Sequence, residues 1–199
     1  MESTDTSHTD LDALLESVRA CRICKDLPLG PRPILQGSAK SKILIAGQAP
    51  GRITHNKGIP FDDPSGKRLR AWMGIESDTF YDPDKIAILP MGFCFPGTGK
   101  SGDLPPRPEC AEAWHEQLMA QFTNIEMTLI IGQYAINWHL NDGRKMTLTA
   151  RALEWKSTFP TSLVLPHPSP RNNRWLKTNP WFEKDVVPAI QTQIQDLLK

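Results

Sequence analysis

With 199 residues, 39% of them hydrophobic and 23% charged, the chain is long enough to bury the core of one globular domain. A formal net charge of +1 excludes a protein that holds polyanions by bulk charge, so any nucleic-acid contact has to be local. No apolar run approaches the length of a transmembrane helix, and the polar, acidic start Met1–Thr6 lacks the pattern of a signal or transit peptide, which together predict a cytoplasmic protein with no membrane partner.

In chain order, residues 1–8 read as a disordered tail and 9–199 as one domain. Thr9 is the expected cap of a first helix, in which Leu11, Leu14, Leu15 and Val18 share one face. That helix delivers Cys21 and Cys24, a C-x2-C pair. Lys42–Ala46 reads as a buried strand ending in Gly47-Gln48-Ala49-Pro50-Gly51-Arg52, where two glycines and a proline permit a tight turn close to a ligand. A polar loop then reaches Phe61-Asp62-Asp63-Pro64-Ser65-Gly66. Ser65 or Asp63 can cap a helix from Lys67 to Met73, which Gly74 ends. Lys85–Pro90 is the second strand.

The stretch from Cys94 to Cys110 is rich in Pro and Gly and is expected to be irregular. A helix carrying Ala113, Trp114, Leu118 and Phe122 follows. Met127–Gly132 is the third strand, and a helix through Ala135, Ile136 and Leu140 stops at Gly143. Arg144–Phe159 is ambiguous. Leu163–Leu165 is the fourth strand and runs into Pro166-His167-Pro168-Ser169-Pro170-Arg171-Asn172. The final helix starts at Asn179-Pro180, with Pro188 as a source of kinking. Strands separated by helices predict an α/β fold, a single-domain three-layer α/β/α sandwich with a four-stranded parallel sheet. His167 then sits at the carboxyl edge of that sheet, where open α/β sheets bind ligands. Spacing alone leaves the four cysteines open to an iron–sulfur cluster, to zinc or to free thiols. Disulfides are not expected in a cytosolic protein.

Three features together resemble the uracil-DNA glycosylase superfamily. Gly47-Gln48-Ala49-Pro50-Gly51 after the first strand is similar to the water-activating motif of the family 4 enzymes. His167-Pro168-Ser169-Pro170-Arg171-Asn172 after the last strand is similar to the final motif of the single-strand-selective monofunctional enzymes. Cys21, Cys24, Cys94 and Cys110 follow the pattern with which families 4 and 5 hold a [4Fe-4S] cluster, so the resemblance implies that cluster in preference to zinc.

The resemblance implies a monofunctional DNA glycosylase. Such an enzyme hydrolyses the N-glycosidic bond of uracil or another deaminated base of DNA in base excision repair. Separately, no surface stripe in the sequence demands a second copy, so a monomer is expected. No lysine stands in the motifs to form a Schiff base. Cleavage needs a donor to the base carbonyl, a carboxylate near the sugar cation, a water, and extrusion of the nucleotide. His167 fits the donor. Family 4 carries Glu where this chain has Gln48, and other uracil enzymes carry Asp where it has Ala49. The carboxylate therefore falls to Asp63, in a stretch similar to family 5, with Gln48 orienting water or the base edge. Phe61 matches the aromatic on which the flipped base stacks, and Ala49 also faces the base. Pro90 stands where family 4 has a uracil-reading asparagine, which implies a broader set of bases.

DNA contacts are expected from Pro50, Gly51 and Arg52, and from Pro168, Ser169 and Pro170 pinching a phosphate. Arg171 would fill the gap left by the flipped base, with Arg174 and Trp175 supporting the duplex. Lys57, Lys67, Arg68 and Arg70 complete a local basic patch. The alternative is a catalytically weak iron–sulfur module that binds damaged DNA or a free base. Asp63 as a plain helix cap is the structural reading that would accompany it.

Overall fold

Four short apolar runs form the frame of a computed structural model that describes residues 6–100 and 102–199. They are β1 (Ile43–Ala46), β2 (Ile86–Ile88), β5 (Met127–Ile131) and β6 (Ser162–Leu165). They line up in the order β2-β1-β5-β6, and every pairing is parallel. Parallel neighbours cannot be joined by a hairpin, so helices must cross over on the faces of the sheet. Both faces are consequently apolar. Ile43 and Ile45 point into one core with Leu129 and Leu163, while Leu44, Ala46, Ile130 and Val164 point to the other side. The predicted three-layer α/β/α architecture is what forms.

The first helix, α1 (Thr6–Arg19), begins ahead of Thr9, which lies inside it rather than at its cap. Residues 1–5 of the predicted tail lie outside the described residues. Between β1 and β2 come α2 (Arg52–Lys57), α3 (Pro64–Met73) and α4 (Ser77–Phe80). Asp63 is the N-cap of α3, Pro64 opens it, and Gly74 closes it in the left-handed region at φ 67°.

The segment between Cys94 and Cys110 is not wholly irregular. Thr98–Gly99 (β3) and Gly102–Asp103 (β4) pair as a two-stranded antiparallel hairpin. Beyond it, α5 (Pro108–Cys110) runs through a π-helical turn at Ala111–His115 into α6 (Glu116–Gln121). The crossover from β5 to β6 uses α7 (Gln133–His139) and α8 (Leu148–Leu153), so the ambiguous segment after Arg144 is helical in part.

After β6 the chain forms α9 (Asn173–Thr178), a π turn at Phe182–Val186, and α10 (Val187–Leu197). Pro188 has no N–H to offer the carbonyl one turn back, and the widened turn lies just before it. Trp175, expected near DNA, packs edge-on against Trp181 and Phe182 and donates its Nε1–H to Thr149 Oγ1 at 2.8 Å. It belongs to the core.

Candidate active site

The carboxyl ends of β1, β2 and β6 open into one cavity of about 660 Å³, roomy enough for a nucleobase and part of its sugar. Gln48, Ala49, Phe61, Asp63, His167 and Arg171 all line it, as do Pro50, Gly51 and Arg52. The structure thus gathers the residues read from two distant motifs around a single space.

His167 is fixed by its own loop. The Ser169 N–H donates to Nδ1 at 3.2 Å, and the Asn172 side-chain amide donates to the His167 carbonyl at 2.7 Å. A nitrogen that accepts cannot also carry the proton, so the neutral ring holds it on Nε2. Burial pushes the imidazole below its ordinary value. The charges of Asp63 and Asp103 pull the other way, and that of Arg171 adds to the lowering. The result is a neutral ring with an N–H donor and no protein partner for it among the described residues.

The rest of the loop is equally self-contained. The Ser169 hydroxyl accepts from the Arg171 N–H, and the Ser169 carbonyl accepts from the Asn172 N–H. Pro168 and Pro170 have no N–H at all. The backbone donors expected to pinch a phosphate are therefore already engaged, which leaves the Ser169 hydroxyl proton and the exposed Arg171 side chain. Arg68 braces the loop from α3, donating to the Ser169 carbonyl at 3.1 Å and to Asn173 Oδ1 at 2.7 Å. It was expected in a basic patch and is a strut instead. Arg70 faces Phe80 and Tyr81, and Lys57 is paired with Asp62 at 3.0 Å. Arg52 and Arg171 remain as exposed cations lining the cavity, and Lys67 and Arg174 are exposed on α3 and α9.

Phe61 stands in the left-handed region at φ 53°, the only non-glycine residue with positive φ among those described. A phenylalanine there costs on the order of 1–3 kcal/mol. Its backbone passes so close to α3 that a Cβ on Gly66 would lie 1.7 Å from the Phe61 carbonyl oxygen. Its ring tip lies 3.8 Å from where a Cβ on Gly47 would be. The strained backbone and the two glycines together set an aromatic face over the floor of the cavity.

The carboxylates are placed unequally. Asp63 Oδ1 accepts the Gly66 N–H at 2.8 Å, so one oxygen is engaged as the helix cap. Gln48 lines the cavity, and its side-chain amide donates to the Leu104 carbonyl at 3.0 Å. Asp103, which sequence reasoning missed, reaches the cavity from the β3–β4 hairpin. Its signal was present in Thr98-Gly99-Lys100-Ser101-Gly102-Asp103, where two glycines with two residues between them in sequence are a hairpin cue.

Away from the cavity, Cys21, Cys24, Cys94 and Cys110 are free thiols. Burial raises Cys94 to about 11 and Cys110 to about 12, and both also feel Cys24 and Cys21. Sulfur acceptors are supplied with donors: the Arg32 backbone N–H for Cys94, the Phe93 backbone N–H for Cys110 and the Arg107 guanidinium for Cys24. Among the described residues, no three His, Cys, Asp or Glu side chains converge into a group that could hold a metal ion as they stand. The four thiols are nonetheless electrostatic neighbours, and burial together with their mutual repulsion disfavours negative charge on Cys24, Cys94 and Cys110 unless a cation offsets it.

A family model described as the uracil DNA glycosylase superfamily matches residues 35–191. The Type-4 uracil-DNA glycosylase of Archaeoglobus fulgidus is 27% identical over 138 residues, covering 66% of this chain. The match spans 64% of that protein's own length.

Proposed function

Since the chain belongs to the uracil DNA glycosylase superfamily, we propose that it is a monofunctional DNA glycosylase that hydrolyses the N-glycosidic bond of uracil or another deaminated base. One observation carries the reading: His167 offers a neutral Nε2–H, without a partner among the described residues, beside the cavity that Phe61 also lines. A base leaving as an anion develops charge on its carbonyl oxygen, and a preorganised donor there stabilises the transition state more than the ground state. Phe61 supplies the stacking face for an extruded base. Asp63, through the oxygen not used in capping, adds negative charge beside the sugar cation. Pro90, at the end of β2, has no side-chain amide to read a base edge, which favours tolerance among deaminated bases. Arg171, Ser169 and Arg52 at the opening contact the DNA backbone. The protein works as a cytoplasmic monomer.

Cys21, Cys24, Cys94 and Cys110 would hold a [4Fe-4S] cluster. Four thiols that sense one another's charge, three of them with N–H donors to sulfur, would suit a thiolate-ligated cluster better than a structural zinc site, which favours repeated C-x2-C pairs. When bound, the cluster supplies iron–thiolate cross-links between the end of α1 and both ends of the 94–110 segment.

A second reading, a module that binds damaged DNA or a free base without cleaving it, draws on the engagement of Gln48 and Asp63 in structural hydrogen bonds. The test uses anaerobically purified protein and oligonucleotides, single-stranded and duplex, that carry one uracil, followed by alkali. Strand breaks that vanish in His167→Ala support the glycosylase. Tighter binding of uracil-containing than of undamaged DNA, with no breaks, supports the binding module.

A further inference from the structure

We propose that Asp103 is the catalytic carboxylate that takes the proton of the attacking water, and that Gln48 is the positioning residue that holds it there. The proposal rests on the glycosylase reading and assigns a group that reading leaves open.

Only two carboxylates line the cavity among the described residues, Asp63 and Asp103. Asp63 has one oxygen fixed by the α3 cap. Among the described residues the Asp103 side chain has only a long 3.5 Å contact, accepting from Thr98 Oγ1. Its Oδ2 lies 3.3 Å from where a Cβ on Gly51 would sit, so the bare backbone of the β1 loop is what lets it come this close. Asp103 and His167 face the same space, close enough for the carboxylate to act on the imidazole. A donor for the base and an acceptor for the water thus share one cavity.

The hairpin that bears Asp103 is small and would drift without anchors. It has two. The Leu104 N–H donates to the Gly97 carbonyl at 2.9 Å, and the Leu104 carbonyl accepts from Gln48 Nε2 at 3.0 Å. The second anchor requires an N–H donor at position 48. An amide can provide it and a carboxylate cannot. Gln48 is therefore the right side chain for a strut.

In the step, the water oxygen bonds to C1′ as the C1′–N bond breaks. The bonding pair leaves with the base, whose carbonyl oxygen is held by His167 Nε2–H. The water's proton passes to the Asp103 carboxylate and then to bulk solvent. The base anion takes a proton from solvent, so the net change is the addition of one water.

The test is single-turnover release of uracil from a single-stranded oligonucleotide by the full chain, with binding measured separately. Asp103→Asn should lower the rate about 100-fold or more with unchanged oligonucleotide affinity, because base catalysis is typically worth that much. Asp103→Ala should regain rate on addition of formate, which a merely structural role would not show. Gln48→Ala should cost about 10-fold alone and nothing more in the Asp103→Asn background, the non-additivity expected of a residue that acts through another. Asp103→Asn within threefold of wild type, while His167→Ala is inactive, would overturn the Asp103 assignment and leave the glycosylase standing. A further loss from Gln48→Ala in the Asp103→Asn background would overturn the positioning role. Wild-type protein that releases no uracil, hypoxanthine or xanthine would overturn both the assignment and the reading beneath it.

Discussion

The loops after β1 and after β6 face each other across the cavity, and they are held in opposite ways. The loop after β6 closes on itself: Ser169 orients His167, Asn172 holds the His167 carbonyl, and Ser169 caps the turn at Arg171. The loop after β1 closes on something else, since Gln48 reaches 56 residues along the chain to Leu104. A self-closed loop fixes the position and tautomer of its own imidazole. An outward-closing loop fixes another segment's position. The two short motifs of similar length therefore do different work: the first fixes its own imidazole at the cavity, and the second ties a separate hairpin to the sheet edge.

The largest expected effect breaks the self-closed loop. His167→Ala should lower single-turnover base release about 100- to 1,000-fold, the cost of removing one oxyanion donor, with the melting temperature little changed. Burial holds the ring below its ordinary value, so the wild-type rate should stay level as pH falls past 6.5 and drop only at lower pH. A rate profile in overlapping buffers checks this.

A second effect of comparable size concerns the floor beneath both loops. His115 is fully buried, stacks on Phe93, and its Nε2 lies 3.1 Å from the Pro90 carbonyl, at the end of β2. Burial pushes it down to about 4, against the backbone of Pro90 and Met91. The unfolded chain binds a proton there below about 6.5 while the folded one does not. Stability is therefore complete above that pH and declines as pH falls towards 4, by on the order of 3 kcal/mol. Urea titrations at stepped pH should show the slope, and His115→Phe should flatten part of it while leaving the Pro90 carbonyl without its partner.

Smaller effects sharpen the contrast. Arg68→Ala removes the brace that α3 places on the β6 loop. A cost of about 1–2 kcal/mol in urea stability and a roughly 10-fold rate loss would show that self-closure is incomplete without α3. A rate unchanged by the substitution would show that the loop stands alone. At Phe61 the backbone and the ring can be separated. Phe61→Gly should be more stable than Phe61→Ala by about 1 kcal/mol, since only glycine relieves the positive φ. Both variants should lose base release equally.

The readability of the sequence followed the same divide. The strands, the α3 cap and the His167 loop rest on local patterns: apolar runs, a Pro after an Asp, a histidine among prolines. All of these lie within a few residues of what they determine, and the structure has them close to where they were expected. Asp103, the Gln48 strut and the Arg68 brace depend on partners from other quarters of the chain, and no local pattern encodes a partner. Trp175 was misplaced for the same reason, because its exposure is decided by Trp181, Phe182 and Thr149. The Thr98–Asp103 hairpin was legible in principle, but the surrounding prolines obscured it.

The strand order has a kinetic consequence. Ile43 pairs with Ile86 on one side and Met127 on the other, Thr128 pairs with Ser162, and Arg68 spans 101 residues to Ser169. No neighbouring pair in the sheet is close in sequence, so each requires a long loop to close before any contact repays it. His167 joins Gly47, Phe61 and Asp103 at the cavity only when the last strand has docked. During refolding, helical signal should return first and base binding last.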